Sequence, residues 1–287
     1  MKDISPNDLR DNIPLVAKQH EGHKSTVTVG PVVIGGDALV VMAGPCAVET
    51  EELTLDIARA VKAAGATMLR GGAFKPLTFP YRRGFAIEIG EPGLAWLRRA
   101  GDETGLPVVT EVMDVRMVEK AAAFADMLQI GARNMSNFPL LIEVARAKKP
   151  VLLKRHFGAS LRDWLGAAEY LYYYGNPQVV LCERGVAAPH THEVTSRFIV
   201  NLQVVPAVRE YSHLPVIVDP SHSTFKRSYV APVACGAIAV GADGIIIDVH
   251  REPEKAAVDP LQALSYAAFG DLMTTLRGIG AVLGRTL

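Results

Sequence analysis

From about residue 38 onward, short apolar runs alternate with longer amphipathic stretches. The apolar runs are Leu39–Ala43, Thr67–Arg70, Pro107–Thr110, Met127–Ile130, Val151–Leu153, Val179–Cys182, Val216–Val218 and Gly244–Asp248. They are short, β-branched-rich and continuous rather than alternating, as strands buried on both faces of a parallel sheet should be. Between and after them the spacing predicts helices over Glu51–Ala64, Gly93–Thr104, Val115–Phe124, Pro139–Ala147, Leu161–Tyr174, Phe198–Tyr211 (interrupted by Pro206), Ser228–Val240 and Leu261–Leu276. Eight strand-plus-helix units without a break in composition predict one α/β domain, a closed (β/α)8 TIM barrel over 38–287. A doubly wound open sheet would want a glycine-rich turn after its first strand, and Gly44-Pro45-Cys46-Ala47-Val48-Glu49 does not match one. Residues 1–37 stand apart. They form a polar arm followed by Thr26–Gly36, two β-branched runs around Gly30-Pro31 that predict a hairpin.

Composition narrows the classes. The chain of 287 residues is 49% hydrophobic, and its 30 Lys+Arg balance 30 Asp+Glu. That balance argues against a general nucleic-acid binder, which needs a basic face, and against a disordered chain. No apolar run reaches the roughly 20 residues of a membrane span, and the N-terminus carries no apolar leader. Three scattered cysteines, Cys46, Cys182 and Cys235, are too few for a disulfide scaffold. A reduced, cytoplasmic setting is expected.

In such a barrel the chemistry belongs at the C-terminal ends of the strands. Two groups of polar residues fall there. The first is cationic: Arg70, Lys75, Arg133, Lys154 and Arg184. One such cation is ordinarily a solvated rim charge, but five at one mouth suit a small anion carrying phosphate and carboxylate. Glu111 is placed to hold the lysines. The second group is Cys46, His222, Asp248 and Asp259, whose thiolate, imidazole and carboxylates together can hold a divalent transition metal. The alternative for each is a structural role: a buried free cysteine, a satisfied histidine, or, for Asp259 before Pro260, a helix cap. His190, His192 and His250 are further candidates without a fixed geometry. Cys182 and Cys235 are expected in the core. The aromatic stretch Tyr170–Tyr174 is expected to pack in the core or at a subunit contact.

Eight segments then occur in order: AGPCAVE (Ala43–Glu49), LRGGAFKP (Leu69–Pro76), LPVVTEVMD (Leu106–Asp114), LQIGARNM (Leu128–Met135), PVLLKR (Pro150–Arg155), LCERG (Leu181–Gly185), LPVIVDPSH (Leu214–His222) and GADGIIIDVH (Gly241–His250). Together they closely resemble the 3-deoxy-7-phosphoheptulonate (DAHP) synthases of the short microbial type, relatives of the 3-deoxy-octulosonate-8-phosphate synthases. The resemblance implies a metal-dependent condensation of phosphoenolpyruvate with erythrose 4-phosphate, an aldose phosphate, at the entry to the shikimate pathway of aromatic amino-acid biosynthesis. It implies Cys46, His222, Asp248 and Asp259 as ligands of a divalent metal, manganese first, with iron, cobalt or zinc accepted. It implies Arg70, Lys75, Glu111, Arg133, Lys154 and Arg184 around phosphoenolpyruvate, and Pro76 and Thr78 beside the second substrate. Lys75 would act as general acid toward the aldehyde oxygen, with Cys46 and His222 in the catalytic centre. The N-terminal hairpin would plug the bottom of the barrel. A homodimer or homotetramer is implied, as is a chorismate mutase as a partner.

The sequence departs from the family where the aldehyde should bind. The lysine is usually followed by Pro-Arg-Thr-Ser, and here by Pro76-Leu77-Thr78-Phe79. Arg82 and Arg83 follow and are candidate substitutes. His156 stands where the family usually has glycine, and Asp248 where it usually has glutamate. Two alternatives therefore stand beside the main reading: condensation with a different aldehyde in a secondary-metabolite pathway, and a weakened, non-catalytic partner barrel. No chorismate-mutase or ferredoxin-like module is visible, which predicts no intrinsic inhibition by aromatic amino acids.

Overall fold

The computed structural model describes residues 6–75, 89–188 and 197–287. A short helix α1 (Pro6–Asp11) leads to the antiparallel hairpin β1 (Val27–Val29) and β2 (Val32–Ile34), with Val29 paired to Val32 across the turn. Eight further strands follow: β3 (Val40–Gly44), β4 (Met68–Arg70), β5 (Val108–Val112), β6 (Met127–Ile130), β7 (Val151–Lys154), β8 (Val179–Glu183), β9 (Val216–Val218) and β10 (Gly244–Asp248). All pair in parallel with their sequence neighbours, and β10 returns to β3 to close the barrel. The helices are α2 (Glu51–Ala64), α3 (Glu91–Thr104), α4 (Val118–Phe124), α5 (Phe138–Arg146), α6 (Leu161–Tyr173), α7 (Val204–Tyr211), α8 (Pro220–Thr224), α9 (Arg227–Ala239) and α10 (Tyr266–Val282).

Two apolar layers explain why the strands carry no polar face. Val41, Leu69, Val108, Leu128, Leu153, Leu181, Val216 and Ile247 pack outward against the helices. Val40, Met42, Met68, Val109, Met127, Leu152, Val180, Cys182, Ile217 and Ile246 fill the barrel interior. Val27, Val29 and Ile34 of the hairpin join that inner cluster, so the hairpin stops the N-terminal end of the barrel. Side chains alternate faces along a strand. The residue two beyond the last inward apolar residue of a strand therefore faces the C-terminal mouth. Met68 leads to Arg70, Val109 to Glu111, Met127 to Gln129, Leu152 to Lys154, Cys182 to Arg184, Ile217 to Asp219 and Ile246 to Asp248.

Two helices begin well after the position that the sequence pattern predicts. The helix predicted from Phe198 begins at Val204, because Ile199 pairs in both directions with Val186 and Phe198 N donates to Ser223 O. Pro206 thus falls in the first turn, where its missing N–H leaves no bond unmade. The last helix begins at Tyr266 rather than Leu261, capped by Ser265, whose hydroxyl accepts from Ala268 N. The segment before it is tied down by a bridge between Val249 and Leu264.

Candidate active site at the mouth of the barrel

Four donor atoms from separate elements meet at the C-terminal ends of the strands. Cys46 follows β3, His222 lies on α8, Asp248 ends β10 and Asp259 lies on the loop before α10. One ligand atom from each falls within 4.8 Å of the others. Cys46 Sγ is 3.2 Å from Asp259 Oδ2 and 3.5 Å from His222 Nε2, and His222 Nε2 is 3.7 Å from Asp259 Oδ2. A tetrahedral ion with bonds of 2.0–2.3 Å separates its ligands by roughly 3.3–3.8 Å, so Cys46, His222 and Asp259 fit a divalent transition metal in spacing, and Asp248, within 4.8 Å, fits it in chemistry. Asp259 does not cap a helix. Its backbone is left-handed, φ 53°, a conformation that aspartate tolerates better than most residues and that aims its carboxylate at Cys46 and His222.

The surroundings hold these donors in place. His222 Nδ1 bonds to Asp219 Oδ1 at 3.1 Å, with Oδ2 at 2.9 Å, which turns Nε2 toward Cys46 and Asp259. Asp248 Oδ1 accepts from Arg70 Nη1 at 2.7 Å, and Oδ2 from Gln262 Nε2 at 2.7 Å. The Arg70 guanidinium also donates to Pro45 O at 2.8 Å. Arg70 therefore braces Asp248, although the sequence grouped it with the anion-binding cations. Burial, reinforced by Asp248, pushes the Cys46 thiol up to about 12. Burial also works against the Asp259 carboxylate, but His222, Lys75 and Arg197 outweigh it and lower its pKa.

Beside this cluster is a cavity of about 110 Å³ lined by Lys75, Glu111, Gln129, Arg133, Lys154, Arg184, Arg197 and His222. Lys75 belongs to both halves: its Nζ lies 3.2 Å from Cys46 Sγ. Arg184 is buried, its guanidinium sits 4.4 Å from the Phe198 ring centroid, and its Nη1 has no hydrogen-bond partner. Glu111 Oε2 accepts from Gln129 Nε2 at 3.1 Å, whereas Lys154 is held by Asp219, Oδ2 to Nζ 2.5 Å. The lysine-holding role expected of Glu111 thus falls to Asp219 for Lys154. A Cβ at Gly131 would stand 1.8 Å from Glu111 Oε1, so a larger residue there would displace the Glu111 carboxylate.

Two residues carry roles that the sequence did not assign. Arg197 reaches the cavity from a segment with no recognisable motif, and Asp219 lies 65 positions from the lysine that it holds. His250 stays outside the cluster, with Nδ1 on the Glu252 backbone. Arg155 pairs with buried Glu183 at 3.0 Å. His156 packs at a tilt against Phe157, and burial with Arg184 and Arg133 nearby lowers its pKa. Cys182 is fully buried in the barrel, and Cys235 only partly so on α9. Pro76, Leu77, Thr78, Phe79, Arg82, Arg83, His190 and His192 lie outside the described residues.

Comparison with known proteins agrees with this architecture. The family model described as DAHP synthetase I family matches residues 13–281. The chain is 42% identical over 270 residues to the phospho-2-dehydro-3-deoxyheptonate aldolase of Thermotoga maritima, covering 94% of this chain and 78% of that protein. It is 28% identical to the 2-dehydro-3-deoxyphosphooctonate aldolase of Geobacter sulfurreducens, over 90% of this chain and 98% of the relative. Among solved structures, a truncated 3-deoxy-D-arabino-heptulosonate 7-phosphate synthase from T. maritima superimposes with a TM-score of 0.88 at 39% identity, covering 96% of this chain and 99% of that one.

Proposed function

Because the chain belongs to the DAHP synthetase I family, we propose that it joins phosphoenolpyruvate to erythrose 4-phosphate, giving 3-deoxy-arabino-heptulosonate 7-phosphate and inorganic phosphate. The observation that carries this reading is the junction of two sites at Lys75: a cation-lined cavity on one side, a Cys/His/Asp/Asp cluster on the other. Arg133, Lys154, Arg184 and Arg197 hold the phosphate and carboxylate of the enol substrate, with Arg donors suited to bidentate contacts. Cys46, His222, Asp248 and Asp259 would hold a divalent metal. Manganese is our first candidate, and the mixed donor set also accepts iron, cobalt and zinc. When bound, such an ion supplies Lewis acidity toward an aldehyde oxygen.

Carbon 3 of the enol attacks the aldehyde carbon, and Lys75 delivers a proton to the aldehyde oxygen. Burial disfavours its ammonium, but Cys46, Glu111 and Asp259 outweigh burial and raise its pKa, so that the proton is in place. Water then adds at carbon 2, the bond from that carbon to the phosphate oxygen breaks, and inorganic phosphate leaves. A reducing, cytoplasmic setting suits a site whose cysteine must stay unoxidised. Assembly as a homo-oligomer is supported by exposed Tyr173, by Tyr170 against Phe138, and by a mostly apolar groove of about 950 Å³ holding Leu261 between α9 and α10.

The test follows loss of the enol absorbance in metal-reconstituted protein supplied with different aldehydes. Turnover is expected to be highest with erythrose 4-phosphate. Faster turnover with arabinose 5-phosphate or an unphosphorylated sugar would assign a different aldehyde. No turnover with any would favour the partner-barrel reading.

A further inference from the structure

Asp219 is fully buried at the end of β9, and its carboxylate is divided between the two halves of the site. Oδ2 accepts from Lys154 Nζ at 2.5 Å, and Lys154 lines the anion cavity. The same Oδ2 lies 2.9 Å from His222 Nδ1, and His222 Nε2 faces Cys46 and Asp259. Oδ1 bonds to His222 Nδ1 at 3.1 Å and accepts from His222 N at 3.0 Å, which fixes the carboxylate on the first turn of α8. Cys46 and Asp259 also lie between His222 and cavity cations, Lys75 and Arg197, but as members of the cluster itself, whereas Asp219 joins the two halves from outside it.

We propose that Asp219 is a positioning residue that couples occupancy of the metal cluster to the anion affinity of the neighbouring cavity. A ligand on His222 Nε2 draws electron density from the imidazole and makes Nδ1–H a stronger donor. The Asp219 carboxylate then gives more of its charge to His222 and less to Lys154. The Lys154 ammonium is less neutralised and grips an anion more firmly. By reciprocity an anion on Lys154 tightens binding at His222 by the same factor. The outer carboxylate also orients the imidazole, a role whose loss ordinarily weakens metal binding about 10- to 100-fold.

This inference rests on reading the site as an anion cradle beside a metal centre, and its test separates the two. Cobalt(II) is titrated into the substrate-free chain, with its thiolate absorption band as readout. The chains compared are wild type, Asp219→Asn, Lys154→Gln and the double variant. Asp219→Asn is expected to weaken cobalt binding at least tenfold. Lys154→Gln should tighten it several-fold, by returning the whole carboxylate to His222. In the Asp219→Asn background the Lys154→Gln effect should vanish. A direct field from Lys154, or a merely structural role for Asp219, would leave the two effects additive and overturn the proposal. No cobalt binding by wild type, or binding undisturbed in Cys46→Ala, would overturn the metal reading and this proposal with it. If Asp219→Asn does not fold, inorganic phosphate is titrated into ¹⁵N-histidine-labelled wild type. The His222 Nδ1 resonance should then shift, and should not shift in Lys154→Gln. An unmoved resonance in wild type would again overturn the coupling.

Discussion

Arg184 illustrates how one buried side chain can serve binding at the expense of stability. Burial depresses its pKa, the negative charge of Asp219 opposes that depression, and Arg197 and Arg133 add to it. Its Nη1 has no partner within the described protein. A bond from it to a substrate oxygen would be charge-assisted, worth roughly 1.5–3 kcal/mol. Arg184→Met should therefore raise the KM for phosphoenolpyruvate about 10- to 100-fold in steady-state kinetics. The melting temperature should hold or rise, because apolar replacement of a buried, poorly paired charge is often neutral or stabilising. A fall of several degrees would make Arg184 a structural residue instead. Cys46 carries a second residue-scale prediction. Its metal-free thiol is pushed up to about 12, so it holds its proton at neutral pH, whereas a metal ligand must be the thiolate. Binding then releases one proton, and cobalt affinity should rise close to tenfold per pH unit below that value. Titrations a pH unit apart check this, and a flat profile would place a thiolate in the metal-free protein.

At the scale of elements, the hairpin and the barrel are separable in function. Ile34 is fully buried among the inner barrel residues, at the end away from the mouth. Ile34→Ala should cost about 2–5 kcal/mol by transfer and cavity formation, read as a lower denaturation midpoint. In native conditions kcat should remain at the wild-type value. The elements themselves were largely readable: Met127–Ile130, Val216–Val218 and Gly244–Asp248 have the limits that the apolar runs predict. So does Glu51–Ala64, whose cap Thr50 and terminal Gly65 are local signals. The mouth residues were readable too, because two-residue alternation carries an inward apolar position to an inward polar one. Elsewhere a contact outweighed the local pattern. The run after Phe198 is apolar enough for a helix, but Ile199 spends its backbone on Val186. The partnership of Lys154 with Asp219, and the arrival of Arg197 at the cavity, are facts of closure, and no spacing along the chain encodes them.

Across the whole molecule, net charge and local field diverge. Formal charge is zero, yet Lys75, Arg133, Lys154, Arg184 and Arg197 line one small cavity. Part of this is neutralised, since Asp219 takes Lys154, Asp259 lies 3.9 Å from Arg197 and Glu111 faces the same space. The remainder still leaves the mouth positive, and a concave, low-dielectric wall focuses such a field on arriving anions. Encounter with phosphoenolpyruvate should therefore be steered despite the neutral total. Raising ionic strength from about 10 mM to physiological values shortens the screening length from about 30 Å to about 8 Å. The value of kcat/KM for phosphoenolpyruvate should then fall several-fold. Because kcat reports the bound state, where charges are in contact and screened far less, it should hardly move. The contrast between the two parameters separates steering from general salt inhibition. A parallel fall in both would indicate that salt weakens the buried pairs of the site itself, Arg70 with Asp248 and Lys154 with Asp219, rather than the approach of the substrate.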